Sequence, residues 1–295
     1  MRQPRAAMPD PLLGVISHIL PFSCVDGPGS RMVVFLQGCN MDCPGCQNPH
    51  TIGHCDGCLS CVESCPNQAL SPTGAPRQRQ LDAQRCQQCD HCISQCPRSG
   101  NPRSQVTSVE ALLATIRTHA PLLDGVTFSG GEATLQHRFL AALMARLKAD
   151  PQCAHLSLLI DSNGLLAPQH WPALLAHCDG VMIDIKAMEA TLHRQLTGRD
   201  PQRVIRSIEY LAAQQKLTEL RWLVVQGLND TEAEFTALCE LLKALPQSIS
   251  LRLNGYRHHG VREAGRQWPQ TDSARLQALA QQLAHQGISS HCVTA

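Results

Sequence analysis

The apolar positions of this chain fall into six short runs, each followed by polar or glycine-rich punctuation: Met32–Leu36, Gly125–Phe128, Leu156–Ile160, Val181–Ile185, Leu220–Val225 and Ile249–Leu253. Runs of this length, continuous rather than alternating, predict strands buried on both faces. Between them the hydrophobic period becomes helical. Thr107 with Glu110 forms a capping box ahead of Leu112, Leu113 and Ile116. Leu135–Leu147 and Trp171–His177 read as helices, and Asp200-Pro201 opens another that reaches Gln215. Thr231 with Glu234 caps a helix to Leu245, and Thr271 starts a last one that Gly287 ends. Alternation of strands and helices predicts a parallel α/β sheet. Six units fall short of a closed eight-fold barrel, so the expected architecture is an open, partial (β/α)6 barrel.

Residues 54–100 interrupt that pattern between the first strand and the first helix. The expected organisation is a discontinuous barrel, residues 1–53 and 101–295, carrying a small insert at 54–100. Residues 1–13 read as a loose end, and the Pro-, Gln- and Arg-rich stretch Ser71–Gln80 as an exposed loop within the insert.

At 295 residues the chain can bury a full core. Its formal net charge of +1 supplies no field for nucleic acid or an anionic membrane. No apolar run approaches the roughly 18 residues of a membrane span, and Met1–Pro9 is too short and polar for a signal peptide. The expectation is a cytoplasmic protein, and in a reducing compartment sixteen cysteines are ligands before they are disulfides. Twelve of them precede residue 97, and eleven of those twelve keep regular C-x2-C or C-x3-C spacing. Cys153, Cys178, Cys239 and Cys292 stand apart and read as small core residues.

The regular ones form three runs. Cys39, Cys43 and Cys46 lie on one loop straight after the first strand. Three thiolates leave one iron of a [4Fe-4S] cube open to a bidentate small molecule; a structural zinc site, which closes with four ligands, is the competing reading of this loop taken alone. Cys55-x2-Cys58-x2-Cys61-x3-Cys65-Pro66 and Cys86-x2-Cys89-x2-Cys92-x3-Cys96-Pro97 repeat the bacterial ferredoxin run, in which the fourth cysteine serves the other cluster. That pattern assigns Cys55, Cys58, Cys61 and Cys96 to one cube, and Cys86, Cys89, Cys92 and Cys65 to the other.

Polar residues collect where parallel α/β folds bind ligands, at the carboxyl ends of the strands. The second strand ends in Ser129-Gly130-Gly131-Glu132, whose glycines let backbone approach a ligand closely. The third ends in Asp161-Ser162-Asn163-Gly164 and the fourth in Asp184-Ile185-Lys186, where Asp184 and Lys186 share a face. The fifth carries Arg221, and the sixth runs into Arg257 and His258. Taken alone, the Asp184/Lys186 pair also suits an internal ion pair.

With the cysteine loop, S-G-G-E, D-S-N-G and D-I-K together, the sequence resembles a radical S-adenosylmethionine (SAM) enzyme. Asp26-Gly27-Pro28-Gly29-Ser30-Arg31 before the loop and Gln47-Asn48-Pro49 after it narrow the resemblance to the activases of glycyl radical enzymes. The double ferredoxin run is similar to the subgroup with two extra clusters. Cys24-Val25-Asp26 and Leu196-Thr197-Gly198-Arg199-Asp200 most resemble the YjjW-type activases.

The resemblance implies that Cys39, Cys43 and Cys46 hold a SAM-binding [4Fe-4S] cluster, with two ferredoxin-type clusters in the insert. It implies SAM contacts from Gly45, Gln47, Gly130, Gly131, Glu132, Ser162, Asp184, Ile185, Lys186, Arg221 and His258. It places a monovalent cation beside Asp161, Ser162 and Met182. No acid–base residue is implied, since cluster and SAM do the chemistry. The implied partners are a glycyl radical enzyme and an electron donor such as flavodoxin or ferredoxin. Two departures stand out. Gly45 replaces a residue that is commonly aromatic and packs by the adenine, and Gly255-Tyr256-Arg257-His258-His259 replaces P-Y-H. The rival readings are a radical SAM enzyme acting on a small molecule and a non-catalytic iron–sulfur electron carrier.

Overall fold

The structure is a computed structural model describing residues 12–73, 79–246 and 248–293. Its main sheet has nine strands: β1 (Leu13–Ser23), β2 (Arg31–Leu36), β5 (Gln105–Ser108), β6 (Gly125–Gly130), β7 (Ser157–Ser162), β8 (Gly180–Ile185), β9 (Leu217–Val224), β10 (Ser250–Gly255) and β11 (Ser290–Val293). They lie in the order β11-β10-β9-β8-β7-β6-β2-β1-β5. The six expected strands are the contiguous parallel block from β2 to β10, and β11 extends it in parallel. The sheet keeps two edges, so it is an open partial barrel with α/β architecture.

These strands form because both faces find apolar cover. In β2 Met32, Val33, Val34 and Leu36 are all buried. One continuous core joins them to Leu112, Leu113 and Ile116 of helix Val109–His119, to Phe139, Leu140 and Leu143 of His137–Ala149, and to Val204, Ile208 and Leu211 of Gln202–Ala213. Among the described residues no helix is long and apolar enough to cross a membrane.

Three strands escape the sequence pattern. β1 pairs antiparallel with β2 on one side and β5 on the other; its Leu-Pro-Phe-Ser end and exposed Leu20 and Phe22 hide its periodicity. The β5 ladder also corrects a helix start. Thr107 is committed to Gly14 across the ladder, and Ser108 caps instead, accepting from Ala111 N at 3.2 Å. Likewise the hydroxyl of buried Thr271 donates to Val224 O at 2.7 Å, leaving Asp272 to cap the last helix, Ser273–His285. The expected exposed loop Ser71–Gln80 is bounded by a small hairpin, β3 (Leu70–Pro72) paired antiparallel with β4 (Arg79–Leu81); its middle lies outside the described residues.

Residues 55–100 contribute no strand to the main sheet and have their own small apolar cluster, Cys61, Leu70 and Cys92 with Val62, Cys65, Leu81 and Ile93. They are an internal repeat at an offset of 31 residues (55 to 86, 58 to 89, 61 to 92, 65 to 96). The backbone repeats too. Leu59 and Asp90 both take left-handed φ, 65° and 59°, before the one-turn helices Ser60–Glu63 and His91–Ser94, and Gln68 and Ser99 repeat at 50° and 49°.

Candidate active site

The loop after β2 is held at both ends. Gly38 N donates to Thr51 O at 2.7 Å and Cys39 N to Ile52 O at 3.0 Å, so residues 37–52 close on themselves. Asp42 N donates to Thr197 O, Arg262 reaches both Asp42 (2.6 Å) and Cys43 O (2.9 Å), and Arg199 reaches Asn40 O. All three thiols are partly buried. Burial pushes Cys39 up to about 12 and Cys43 up to about 11, and raises Cys46. Such thiols ionise when a cation pays the desolvation cost. Met41 N already donates to Cys39 Sγ at 3.4 Å, as a cluster thiolate would require.

The S-G-G-E segment packs directly beneath this loop. A side chain on Gly130 would meet Leu36 backbone at 2.2 Å, and one on Gly131 would meet Gly38 O at 2.3 Å. Both glycines are therefore required by the cysteine loop's own backbone, and Gly131 N is used by Leu36 O. The close backbone approach that these glycines permit is therefore to the cysteine loop. Glu132, 1% exposed, accepts from Thr134 N (3.0 Å), Thr134 Oγ1 (2.5 Å), Ser162 Oγ (2.8 Å) and Asn163 N (2.6 Å). It ties the end of β6 to the end of β7, and its carboxylate and the Ser162 hydroxyl are engaged with each other. Asn163 in turn donates to Asn40 Oδ1 at 2.8 Å, steering the cysteine loop.

The inner faces of β7, β8 and β9 carry a charged ring. Lys186 Nζ lies 2.8 Å from Asp184 Oδ2. Arg221 lies 3.2 Å from Asp161, 2.5 Å from Glu219 and 3.0 Å from Met182 Sδ. Ser129 donates to the other Asp161 oxygen at 2.8 Å. Burial alone would raise Asp184, but Lys186 and Arg221 hold it below the usual carboxylate range; Asp161 is pushed up by burial despite Arg221. Lys186 and Arg221 lose solvation to burial yet are held above their ordinary values by Asp184 and by Asp161 respectively. A ring of both signs, already desolvated and oriented, suits a ligand that itself carries both signs, such as an α-amino acid group. Glu219 was not foreseen; its spacing of two from Arg221 on one strand is the signal that would have found it.

Other expected contacts are distributed differently. Ile185 points into the hydrophobic core. Gln47 is exposed, with its carbonyl against Gly260. Met182 and Asp161 are register partners facing Arg221, whereas Ser162 turns to Glu132, so the three expected cation ligands do not share one face. His258 Nε2 pairs with Trp268 O at 2.8 Å, and Arg257 with Thr271 O, so both are tied to residues 268–271. Gly45 has an explanation: a side chain there would strike Trp268 at 2.7 Å and Tyr256 at 2.8 Å. The aromatic surface beside the third cysteine is thus supplied from the far end of the chain.

The other eight motif cysteines gather in two groups of four. Cys55, Cys58, Cys61 and Cys96 line one small cavity. Cys65, Cys86, Cys89 and Cys92 line another. Each group exchanges its fourth member with the other repeat, as the ferredoxin pattern expects. Among the described residues no three His, Cys, Asp or Glu side chains close on a single-ion position.

Comparison with known proteins agrees with this geometry. The chain is 26% identical over 271 residues to an isethionate sulfite-lyase activating enzyme of Desulfovibrio desulfuricans, covering 85% of each chain. It is 28% identical over 253 residues to a 4-hydroxyphenylacetate decarboxylase activating enzyme of Clostridioides difficile, covering 78% of each. Its fold is similar to QueE from Escherichia coli, with a TM-score of 0.53 at 15% identity over 96% of this chain and 95% of that one. The sequence pattern of the Radical SAM superfamily matches residues 33–239, well over half the chain. With three thiols on the loop after β2 and a two-signed ring facing them, the chain belongs to the radical SAM superfamily, whose members use SAM and a [4Fe-4S] cluster.

Proposed function

We propose that this chain is the activating enzyme of a glycyl radical enzyme, of the YjjW type. The observation that carries the reading is the Cys39/Cys43/Cys46 loop set over the Asp161–Asp184–Lys186–Arg221 ring, in a chain whose relatives are named as activases of two glycyl radical enzymes. A cluster held by Cys39, Cys43 and Cys46 would supply the one electron that cleaves the C5′–S bond of SAM to methionine and a 5′-deoxyadenosyl radical, and that radical would take a hydrogen atom from a glycine α-carbon of the partner.

The chain's own residues bind and orient. Cys39, Cys43 and Cys46 hold the cluster. Lys186 and Arg221 meet the carboxylate of the methionyl group, Asp161 and Asp184 its ammonium and the ribose, and Trp268 with Tyr256 wall the space beside Gly45. A monovalent cation beside Asp161 and Met182 belongs to the same reading. Residues 54–100 are a ferredoxin-like insert within a barrel of 1–53 and 101–295. The cysteine groups of the insert hold two further [4Fe-4S] clusters that serve electron supply or partner docking. Four thiols each leave no iron open for SAM. The donor is a low-potential protein such as flavodoxin or ferredoxin.

The test is anaerobic incubation with SAM, a reductant and the candidate partner, read by electron paramagnetic resonance. A glycyl radical on the partner with stoichiometric 5′-deoxyadenosine supports the reading. Cleavage of SAM that instead labels a small molecule, with no partner radical, favours small-molecule chemistry. No cleavage by a chain with its cluster intact leaves an electron carrier.

A further inference from the structure

The two halves of the insert repeat in sequence and backbone, but their cations do not repeat. In the first half Arg79 reaches across from β4, and its Nη1 donates to Cys55 Sγ at 2.9 Å. The rest of the guanidinium is fixed by neutral acceptors: Nε by Pro102 O, and Nη2 by Asn101 O at 3.0 Å and Ser104 Oγ at 3.3 Å. Among the described residues Arg79 has no carboxylate partner. The other arginine at this cavity, Arg98, is paired with Asp56 at 2.6 Å. In the second half the arginine at the cavity is Arg103, and Asp90 neutralises it at 2.5 Å. The first thiol group therefore takes a charged hydrogen bond on sulfur from an arginine that has no carboxylate partner; at the second, Arg103 is paired with Asp90, Arg85 turns to Gln68 Oε1 at 3.3 Å, and Cys65 Sγ accepts the neutral backbone N–H of Ala69 at 3.3 Å.

Net charge and hydrogen bonds to sulfur set the potential of an iron–sulfur cluster. We infer that Arg79 is a positioning residue that makes the two cluster sites of the insert inequivalent, holding the Cys55/Cys58/Cys61/Cys96 site at a higher reduction potential than the Cys65/Cys86/Cys89/Cys92 site. A guanidinium at Cys55 stabilises the extra electron of the reduced cluster, and Asp90 cancels the same effect from Arg103. This rests on the proposed assignment of two clusters to the insert.

The experiment is a potentiometric titration of the anaerobically reconstituted full-length protein with dithionite, which supplies one electron to each cluster, followed by electron paramagnetic resonance. Iron and sulfide are counted first. The unmodified chain is expected to show two separate midpoints for the insert. Arg79→Gln lowers the upper one and leaves the lower one in place, and Arg79→Lys restores part of the shift. Asp90→Asn, which frees the charge of Arg103, raises the lower midpoint toward the upper. Full iron content with midpoints unmoved by Arg79→Gln and Asp90→Asn overturns the inference while leaving the two clusters standing. An unmodified insert that takes up no iron overturns the cluster assignment, and this inference with it.

Discussion

Glu132 Oε2 accepts the backbone N–H of Asn163 at 2.6 Å across 31 positions of sequence, while its other oxygen takes Thr134 N, Thr134 Oγ1 and Ser162 Oγ. One buried carboxylate thus fixes the ends of two adjacent strands, and through Asn163 and Asn40 it fixes the cysteine loop. In Glu132→Gln an amide NH₂ must face either Asn163 N–H or the Thr134 and Ser162 donors. Each donor left unpaired in such a site costs on the order of 1–3 kcal/mol. We expect Glu132→Gln to lower the melting temperature and weaken SAM binding together. An unchanged melting curve would show that the carboxylate is dispensable as a tie.

Lys186 and Asp184 should matter to ligand binding more than to folding, because both stand at a strand end over the ring. Lys186→Ala is expected to keep the cluster of Cys39, Cys43 and Cys46 and to weaken SAM binding about tenfold or more, the worth of one charge-assisted hydrogen bond of about 1.5–3 kcal/mol. Iron content and equilibrium binding of SAM decide it. Loss of the fold, with normal SAM affinity in the soluble remainder, would return the pair to a structural ion bridge.

The parallel block was legible because continuous apolar runs such as Met32–Leu36 report burial on both faces, which only packing on both sides of a sheet supplies. The charged ring was legible for the complementary reason: Asp161, Asp184, Lys186 and Arg221, which the structure brings together, are charges placed where apolar residues would otherwise stand. What the sequence hid are roles set by contacts far along the chain. Nothing local announces that Gly130 seats Leu36, and nothing near Gly45 announces Trp268, 223 positions later. β1 stayed hidden because a strand at the irregular side of the sheet, with exposed Leu20 and Phe22, lacks a clean period.

Arg31, quoted only as the end of the D-G-P-G-S-R motif, proves to be a buried cation with five hydrogen bonds to four residues. It donates to Thr127 Oγ1 (2.8 Å), Pro28 O (3.1 Å), Ser157 Oγ (2.8 Å), Val126 O (3.0 Å) and Ser157 O (2.8 Å), binding the turn to β6 and β7. A lysine cannot reproduce that fork. Arg31→Lys is expected to destabilise the chain by several kcal/mol, about 1–3 for each acceptor left bare, seen as a lower denaturant midpoint. A midpoint that does not move would mean that the guanidinium holds nothing the ammonium cannot.

Iron content separates the proposed cluster assignment from a zinc protein. Eleven motif cysteines in one group of three and two groups of four predict about twelve irons per chain after anaerobic reconstitution. Cys43→Ala is expected to leave about eight and to abolish SAM cleavage, since only the open-sited cluster is lost. Stoichiometric zinc, or about four irons in the unmodified chain, would contradict the assignment of the insert.

The turn before β2 carries a pH dependence whose sign follows from Asp124. Its carboxylate accepts from Ser30 N at 2.8 Å and from Ser30 Oγ at 2.9 Å, and those bonds hold it below the usual carboxylate range. A depressed folded value stabilises the protein fully above the unfolded value of about 3.9, and that stabilisation is lost as pH falls through the folded value. Asp124→Asn removes the dependence. The melting temperatures of the two chains should therefore differ most near pH 7 and converge below about pH 4. Acid also strips iron–sulfur clusters, but it strips both chains, so the difference isolates the carboxylate. Gly29→Ala provides a structural control: at φ +76° its new methyl would meet Asp124 Oδ2 at 2.6 Å, and it should reproduce the Asp124→Asn loss near neutral pH. An unmodified chain that is less stable than Asp124→Asn near pH 7 and gains on it as pH falls would mean that the Asp124 carboxylate opposes the fold.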